Sequence, residues 1–251
     1  MILTVGFGKG GSCKTTTVCA LANYARMKGK SVLCVDADPQ ANATFALQGN
    51  AAAPGLFEVM TGQTQAAQVI QQTPQTHLIA AGLNMAKAEQ EIAKLYPDEG
   101  RDFVLRNALQ PLRNVYDLIV IDTQPDLNTI LVNALSASDA VLLPMQANSF
   151  AIMGLYQMQG TITNVRNRCN PALTIEGILL TKYKPRQTLA ADLRESIVQQ
   201  AEAMGTKVFD TYIREGVAVE QAQAMQQSLF DYAPNSNPAK DYAALFNEMG
   251  I

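Results

Sequence analysis

Short, nearly continuous apolar runs alternate along the chain with longer stretches in which apolar residues recur every three or four positions. The short runs are typical of strands that helices cover on both faces, and the longer stretches predict helices. Their alternation indicates βαβ units around a mostly parallel sheet. We predict strands at 2–7, 31–35, 77–80, 118–121, 140–144 and 174–181, and helices at 15–28, 85–96, 102–113, 151–168, 189–204 and 239–249.

No linker divides this pattern into separate parts. The stretch 50–76 is rich in Ala, Gln and Thr and is predicted to form short surface helices and loops. A chain of 251 residues with 48% hydrophobic content can fill one large core. The sequence therefore predicts a single α/β domain over residues 1–251, with a doubly wound, mostly parallel sheet flanked by helices.

Composition limits the partners and the compartment. The net charge of −3 provides no global positive field, so nucleic-acid binding would need a local patch. The four cysteines form no CxxC pair and His77 is the one histidine, which indicates reduced thiols rather than disulfides or zinc. No apolar run approaches the roughly 18 residues needed to span a bilayer. We expect a soluble, cytoplasmic protein.

A glycine-rich segment follows the first predicted strand. Residues 9–16 read KGGSCKTT, typical of a loop whose backbone N–H groups and following helix bind phosphate. In such a loop Lys14 reaches the β- and γ-phosphates, Thr15 coordinates Mg²⁺ and Thr16 contacts the phosphate chain. The segment predicts a P-loop NTPase fold that binds ATP and Mg²⁺ through Lys9, Gly10, Gly11, Ser12, Cys13, Lys14, Thr15 and Thr16.

Two other predicted strands end in carboxylates. Asp36 and Asp38 follow strand 31–35, and Asp122 follows strand 118–121. Open α/β sheets bind ligands at the carboxyl ends of their strands, so these side chains should meet the loop. Asp122 has the Walker B position, which holds Mg²⁺ through its water shell. For Asp36, a polar strand end without a chemical role is the alternative.

Lys9, in front of the two glycines, adds a further feature. With it, the loop resembles the deviant Walker A motif of the ParA/MinD superfamily, and residues 35–44, VDADPQANAT, are similar to the second signature of ParA proteins. The resemblance extends over nearly the whole chain and is to the short, Soj-like ParA branch. It implies an ATPase that hydrolyses ATP to ADP and phosphate as a nucleotide-sandwich homodimer.

The resemblance also implies roles for single residues. Lys9 reaches across the dimer to the partner's phosphates, where its charge acts as an arginine finger does. Asp38 orients the attacking water, and Asp36 supports the metal and the loop lysine. The implied catalytic residues are Lys9, Lys14 and Asp38. Cys13 replaces the usual glycine, and it is either an inert small residue or a thiol made reactive by the helix start.

ParA proteins similar to this chain bind non-specific DNA through scattered basic residues, and segment 182–186 aligns with one such region. The resemblance implies a phosphate-contacting patch with salt-dependent affinity, and a solvated loop is the alternative. The chain departs from the family where Ile-Arg-Glu replaces Ile-Pro-Arg at 213–215, and where Ala218 replaces an arginine. The candidate DNA-binding residues are Lys182, Lys184, Arg186, Arg194 and Arg214.

The resemblance implies a further partner and a location. A ParB-like centromere-binding protein would stimulate hydrolysis, and the ATP-bound dimer would be nucleoid-associated in the cytoplasm. MinD relatives bind membrane through a basic C-terminal amphipathic helix. Here residues 239–251 carry Lys240 against Asp241 and Glu248, so we expect no membrane partner. Because the first strand begins at the initiator methionine, we expect no preceding helix-turn-helix domain.

Two other functions share this fold. One is a ParA-like ATPase that positions a protein cargo. The other is a dimeric iron–sulfur electron-transfer ATPase like the nitrogenase iron protein, whose loop also begins Gly-Lys-Gly-Gly, as residues 8–11 do here. That class holds a cluster between its subunits through cysteines. The matching ligands are missing, because the cysteines of this chain are Cys13, Cys19, Cys34 and Cys169.

Overall fold

The computed structural model describes residues 1–96, 99–148, 150–184 and 188–251. Within these ranges the chain forms a seven-stranded sheet, in which one edge strand is antiparallel and the other pairings are parallel. The strands are β1 (Ile2–Val5), β2 (Val32–Ala37), β3 (Gln71–Gln72), β4 (His77–Ile79), β5 (Leu118–Thr123), β6 (Ala140–Met145) and β7 (Thr174–Leu180). Their order across the sheet is β3-β4-β2-β5-β1-β6-β7, with β3 as the antiparallel edge.

The order of the strands places a ligand site beside β1. The chain moves from β1 towards one edge, returns through β5, and then continues to the other edge through β6 and β7. Such a reversal leaves a crevice at the carboxyl ends of the strands, where α/β sheets bind ligands. In the register of β2 with β5, Asp36 lies beside Asp122, and Val5 of β1 pairs with Asp122 on the other side. The loop after β1 and both carboxylates therefore reach the same edge.

Helices cover both faces of the sheet, as the continuously apolar strands require. On one face, Leu21 and Tyr242 belong to a single buried cluster, and on the other Ile92 and Leu155 lie in two further clusters. Within the described residues, no helix combines the length and the apolar content that crossing a bilayer requires. The helices are α1 (Lys14–Met27), α2 (Asn42–Ala46), α3 (Leu56–Met60), α4 (Ala88–Leu95), α5 (Val104–Leu109), α6 (Thr129–Ala137), α7 (Ala151–Arg168), α8 (Thr188–Ala203), α9 (Val217–Ala224), α10 (Leu229–Tyr232) and α11 (Asn237–Glu248).

The predicted fold class is confirmed, whereas several predicted element boundaries are wrong. The helix predicted at 102–113 is divided into α5 and two 3-10 helices, and Pro111, which has no N–H group, lies in the second of them. The stretch 50–76 contains the edge strand β3 in addition to short helices. Helices α2, α6, α9 and α10 were not predicted. Helix α11 begins two residues earlier than predicted, because the Ser236 hydroxyl caps its first turn and Pro238 fits there.

Candidate active site

A cavity of about 680 Å³ opens at the carboxyl edge of the sheet. This volume lies within the range of small-molecule sites. One side is formed by residues 10–16, which comprise the loop after β1 and the start of α1. Asp38 lines the cavity from the end of β2, and residues between 213 and 223 line the opposite wall. The cavity thus joins the glycine-rich loop to a wall from the far end of the chain.

The loop between β1 and α1 is held by hydrogen bonds to its carbonyl groups. The side-chain amide of Gln146 donates to the carbonyl of Gly11 at 2.8 Å. The hydroxyl of Thr181 donates to the carbonyl of Ser12 at 3.3 Å. Because α1 starts directly after the loop, the N–H groups of its first turn have no helical acceptors. The carbonyls are engaged elsewhere, so these N–H groups are available to anionic oxygens.

The two loop lysines have different surroundings. Lys14 lines the cavity and donates to the Lys9 carbonyl at 3.1 Å; burial lowers its pKa, while Asp122 acts in the opposite direction. The Nζ atom of Lys9 donates to Oδ1 of Asn148 at 3.2 Å and lies 4.5 Å from the ring centroid of Phe150. Lys9 is not among the residues that line the cavity. Its described partners are neutral, so its charge is not neutralised.

Asp122 is fully buried, and neither of its carboxylate oxygens has a hydrogen-bond partner among the described residues. Burial raises the pKa of Asp122 well above its usual range, and Asp36 raises it further, whereas Thr15 and Lys14 lower it. A buried carboxylate without partners is costly unless a ligand satisfies it. Mg²⁺ takes oxygen ligands and keeps several waters. The Asp122 carboxylate and the Thr15 hydroxyl therefore fit a hydrated Mg²⁺ beside bound phosphates.

Asp36 organises the segment after β2. Its Oδ2 accepts hydrogen bonds from the N–H and the hydroxyl of Thr44, both at 2.7 Å, and its Oδ1 accepts from the Asp38 N–H at 3.1 Å. Burial raises the pKa of Asp36 to about 6, and the Thr44 hydrogen bonds oppose that increase. These contacts fix the backbone at Asp38. The role of Asp36 in supporting the metal and the loop lysine stays a prediction.

Asp38 brings a carboxylate to the cavity. Its Oδ1 accepts from the N–H of Gln40 at 2.9 Å, and within the described ranges its Oδ2 has no hydrogen-bond partner. One oxygen is thus held in place and the other can accept a proton or a hydrogen bond from a water molecule. This arrangement is suited to positioning a nucleophilic water.

The residues of the opposite wall of the cavity were not predicted from the sequence. Gln223 of α9 donates from Nε2 to the Thr16 hydroxyl at 3.1 Å, and Tyr242 of α11 shares a hydrogen bond of 3.1 Å with the Thr17 hydroxyl. Phe45, at the end of α2, lines the same cavity. These residues lie far from the loop in sequence and belong to no local motif, so no sequence signal identified them.

Comparisons with known proteins agree with this geometry. A family model described as an AAA domain matches residues 1–175. The chromosome-partitioning ATPase Soj of Thermus thermophilus is 35% identical over 241 residues, which cover 96% of this chain and 92% of that relative. A plasmid partition protein of Borrelia burgdorferi bound to AMPPNP has a TM-score of 0.81 and 26% identity, covering 99% of this chain and 97% of that chain. Cobyrinic acid a,c-diamide synthase from Mycobacterium smegmatis, with bound ADP and magnesium, has a TM-score of 0.83 and 28% identity, covering 99% and 95%.

The nearly full-length match to Soj decides the family. The chain belongs to the ParA/MinD superfamily. Residues 9–16 are thus a ParA/MinD deviant Walker A loop, as the sequence predicted. The roles of the single residues in this ParA/MinD site stay predictions.

Cys13 stands where the ParA/MinD loop usually has glycine. Its φ of 63° lies in the left-handed region, which costs a residue with a Cβ atom about 1–2 kcal/mol. Burial raises the pKa of the Cys13 thiol, while Thr181 and Lys182 lower it in part. A protonated thiol is a poor nucleophile. This favours the inert small residue over the reactive thiol.

The other three cysteines are Cys19, Cys34 and Cys169, and all are buried. Burial raises the pKa of each thiol. In the part of the chain that the structure describes, no group of three or more His, Cys, Asp or Glu side chains is arranged to hold a metal ion. An iron–sulfur cluster shared between two subunits needs cysteine thiolates at the surface where the subunits meet. Cys19, Cys34 and Cys169 are buried and do not provide them.

Of the four candidate DNA-binding residues that the structure describes, three lie near carboxylates. Lys182 lines the nucleotide cavity, and Lys184 forms an ion pair of 3.1 Å with Glu215. Arg214 donates to both carboxylate oxygens of Asp241, at 2.9 and 2.6 Å. The other two candidates are Arg194, which lies 4.0 Å from Asp210, and Arg186, which lies outside the described residues. DNA binding by these five residues stays a prediction.

Proposed function

We propose that this protein is a DNA partition ATPase whose ATP- and Mg²⁺-bound sandwich dimer binds non-specific DNA. Hydrolysis of ATP to ADP and phosphate, stimulated by a ParB-like centromere-binding protein, ends the DNA-bound state. The observation that best supports binding of ATP and Mg²⁺ is Asp122, a buried carboxylate whose oxygens have no hydrogen-bond partner among the described residues and which lies beside Thr15 and the phosphate-binding loop. Such a group needs a cation, and the loop supplies the place for the phosphates that accompany it.

Hydrolysis requires that this chain's groups hold phosphates and position a water. Mg²⁺, when bound, neutralises charge on the β- and γ-phosphates. The loop N–H groups and Lys14 hold the phosphate oxygens in place. The unengaged Oδ2 of Asp38 accepts a hydrogen bond from the attacking water, and Gln40 keeps that carboxylate oriented. Slow turnover follows if the water is fully positioned only when the partner protein is bound.

The position of Lys9 supports the proposal of a dimer. Its ammonium group lies outside the cavity of its own chain, held by Asn148 and Phe150. Beside it the side chains of Phe150 and Met153 are exposed, at 65% and 63%. A second copy that covers these apolar groups would accept Lys9 at its own bound phosphates. The cation would then offset the negative charge that develops during phosphoryl transfer.

The partition role rests on the relatives, which are named as a chromosome-partitioning ATPase and a plasmid partition protein. We propose a nucleoid-associated location in the cytoplasm and no membrane partner. A protein-positioning ATPase would use the same nucleotide chemistry. The partner encoded beside this protein distinguishes the two, because a small basic DNA-binding protein there supports partition.

Substitution Asp38→Ala tests the chemical assignment. We expect the variant to bind a fluorescent ATP analogue and to dimerise with ATP and Mg²⁺, while phosphate release falls at least about 100-fold because the water is no longer positioned. Light scattering measures the dimer, and a coupled phosphate assay measures turnover. Asp231→Ala, an exposed aspartate on α10, is the matched control and should behave as wild type. Normal hydrolysis by Asp38→Ala would show that the assignment is wrong.

A further inference from the structure

Four arginines gather around residues 169–173, the connection between α7 and β7. Two come from the last turn of α7, one from α5, and one from the 3-10 helix before α5. Arg106, Arg168 and the carboxylate of Asp102 all shift the pKa of the Cys169 thiol. Their charged groups therefore lie near that thiol. The four residues, which we call the arginine cluster, are Arg101, Arg106, Arg166 and Arg168.

Two members of the cluster are held by neutral groups. Arg106 donates from Nη1 to the carbonyl of Cys169 at 2.8 Å, and Arg166 donates from Nε to the carbonyl of Leu173 at 2.8 Å. A carbonyl fixes the guanidinium without neutralising its charge. Each contact uses one of the five N–H groups of its guanidinium, and the other N–H groups have no hydrogen-bond acceptor among the described residues. Both side chains are partly exposed, and Arg106 also lies 5.9 Å from the ring centroid of Phe103.

The other two members share a single carboxylate. Arg168 lies 2.9 Å from Asp102, and Arg101 lies 3.9 Å from the same side chain. The side chains of these two arginines are 54% and 43% exposed. Among the described residues, the contacts of the arginine cluster include no other carboxylate. Among the described side chains, the cluster therefore has four guanidinium charges against the one carboxylate of Asp102, although the chain as a whole is acidic.

The surface of α7 beside the cluster is mostly polar. The exposed residues of the last two turns of α7 and of the connection are Thr163, Asn164, Asn167, Arg168, Pro171 and Ala172. The large exposed apolar residues of α7, Met153 and Tyr156, lie near its other end. Protein interfaces have an apolar core, whereas phosphate-binding surfaces combine fixed arginines with amides and hydroxyls. The surroundings therefore favour a nucleic-acid backbone over an acidic protein.

The cluster also lies away from the proposed dimer face. Helix α7 begins beside Phe150, which holds Lys9, and the cluster is at its other end. Its 18 residues rise about 27 Å, at 1.5 Å per residue. A sandwich dimer that meets at Lys9 would leave both clusters accessible. Dimerisation by ATP would then double the cations on one particle and strengthen DNA binding without any contact between DNA and nucleotide.

We propose that the arginine cluster binds the phosphate backbone of duplex DNA. This inference rests on the proposed function, and it moves the DNA contact from segment 182–214 to the edge of the sheet opposite the nucleotide. Arginine fits phosphate oxygens through paired N–H groups, and the carbonyls of Cys169 and Leu173 hold two of the four guanidiniums in place before DNA arrives.

The test compares paired substitutions by fluorescence anisotropy on a labelled duplex of arbitrary sequence, with ATP and Mg²⁺. We expect Arg106→Gln with Arg166→Gln to weaken binding at least about tenfold at about 150 mM salt. The slope of log affinity against log salt should become shallower by about 0.9 for each lost phosphate contact. The charge-retaining pair Arg106→Lys with Arg166→Lys should lose clearly less affinity than the glutamine pair, because it keeps both charges but not the paired N–H groups. The control pair Lys184→Gln with Arg194→Gln should bind close to wild type. Basal ATP hydrolysis and melting temperature check folding in every variant.

Several results would overturn the proposal. Wild-type affinity in the glutamine pair would do so, and so would equal losses in the glutamine and lysine pairs, which would show that the arginines only hold the connection. A loss confined to the control pair would return the contact to segment 182–214. Unchanged DNA affinity with lost stimulation by the centromere-binding protein would assign the surface to that protein instead of DNA. If wild-type protein with ATP binds no DNA, the proposed function is wrong as well. If wild-type protein binds DNA and the glutamine pair binds it equally well, only the proposal for the arginine cluster is wrong.

Discussion

The nucleotide site and segment 182–214 both contain charged side chains, but the partners of these charges differ. Beside the cavity, Asp122 has no hydrogen-bond partner among the described residues, and Lys9 is held by an amide and an aromatic ring. In the segment, Lys184 and Arg214 are held by carboxylates at 3.1 and 2.6 Å. A charge without an opposite partner is available to a ligand, whereas a paired charge must first lose its partner. The nucleotide site is therefore ready to bind, whereas Lys184 and Arg214 in the segment are neutralised.

The largest expected effect concerns Lys9. Substitution Lys9→Ala should lower the ATP hydrolysis rate of the dimer by about a thousandfold, because a cation supplied in trans contributes that much to phosphoryl transfer. Binding of ATP to the monomer should stay close to wild type, since Lys9 lies outside its own cavity. Lys14→Ala, the matched change inside the cavity, should instead lose ATP affinity. Nucleotide titration and phosphate release separate the two results.

Mixing two inactive variants sharpens this prediction. In a heterodimer of Lys9→Ala with Asp38→Ala, one site keeps its own Asp38 and receives Lys9 from the other subunit. Hydrolysis should therefore return to a substantial fraction of the wild-type rate. If Lys9 acted within its own chain, each site would lack one residue and the mixture would stay inactive.

A smaller effect is expected at Arg214, whose two hydrogen bonds to Asp241 are short and partly buried. Arg214→Gln should lower the free energy of unfolding by about 1–2 kcal/mol, because the Asp241 carboxylate loses a charged partner. Lys184→Gln, which removes an exposed pair, should change it by less than about 0.5 kcal/mol. Urea unfolding measures both variants. A loss of DNA affinity in Arg214→Gln at unchanged stability would contradict the interpretation that this charge is neutralised.

The smallest effect is a gain of stability in the nucleotide-free protein. Burial raises the pKa of Asp122, so the folded state binds a proton more tightly than the unfolded state does. Wild-type stability should therefore fall as pH rises above the carboxyl's unfolded pKa of about 3.9, until it passes the folded pKa. Asp122→Asn has no carboxyl group to titrate at this position and should be more stable than wild type at pH 8, with a smaller difference at pH 5. Urea unfolding without Mg²⁺ at the two pH values tests this, and a constant difference would contradict it.

The sequence predicted the nucleotide site well because its parts are local. Residues 9–16 are contiguous, and a loop that uses its own backbone N–H groups needs few distant contributions. The strand ends at Asp36 and Asp122 were predictable because parallel strands end at one edge. The wall that carries Gln223 was not predicted, since α9 has a weak helical pattern and meets the loop only after the chain has folded.

The sequence alone determined the fold class and the loop of this protein, because strand periodicity and the spacing within 9–16 are properties of neighbouring residues. The tertiary structure decided which charges have partners. Arg214 meets Asp241 across 27 positions, and Arg106 meets the carbonyl of Cys169 across 63. No local pattern distinguishes a cation that a carboxylate neutralises from one that a carbonyl holds. That difference depends on packing, and it determines which surface can bind an anion.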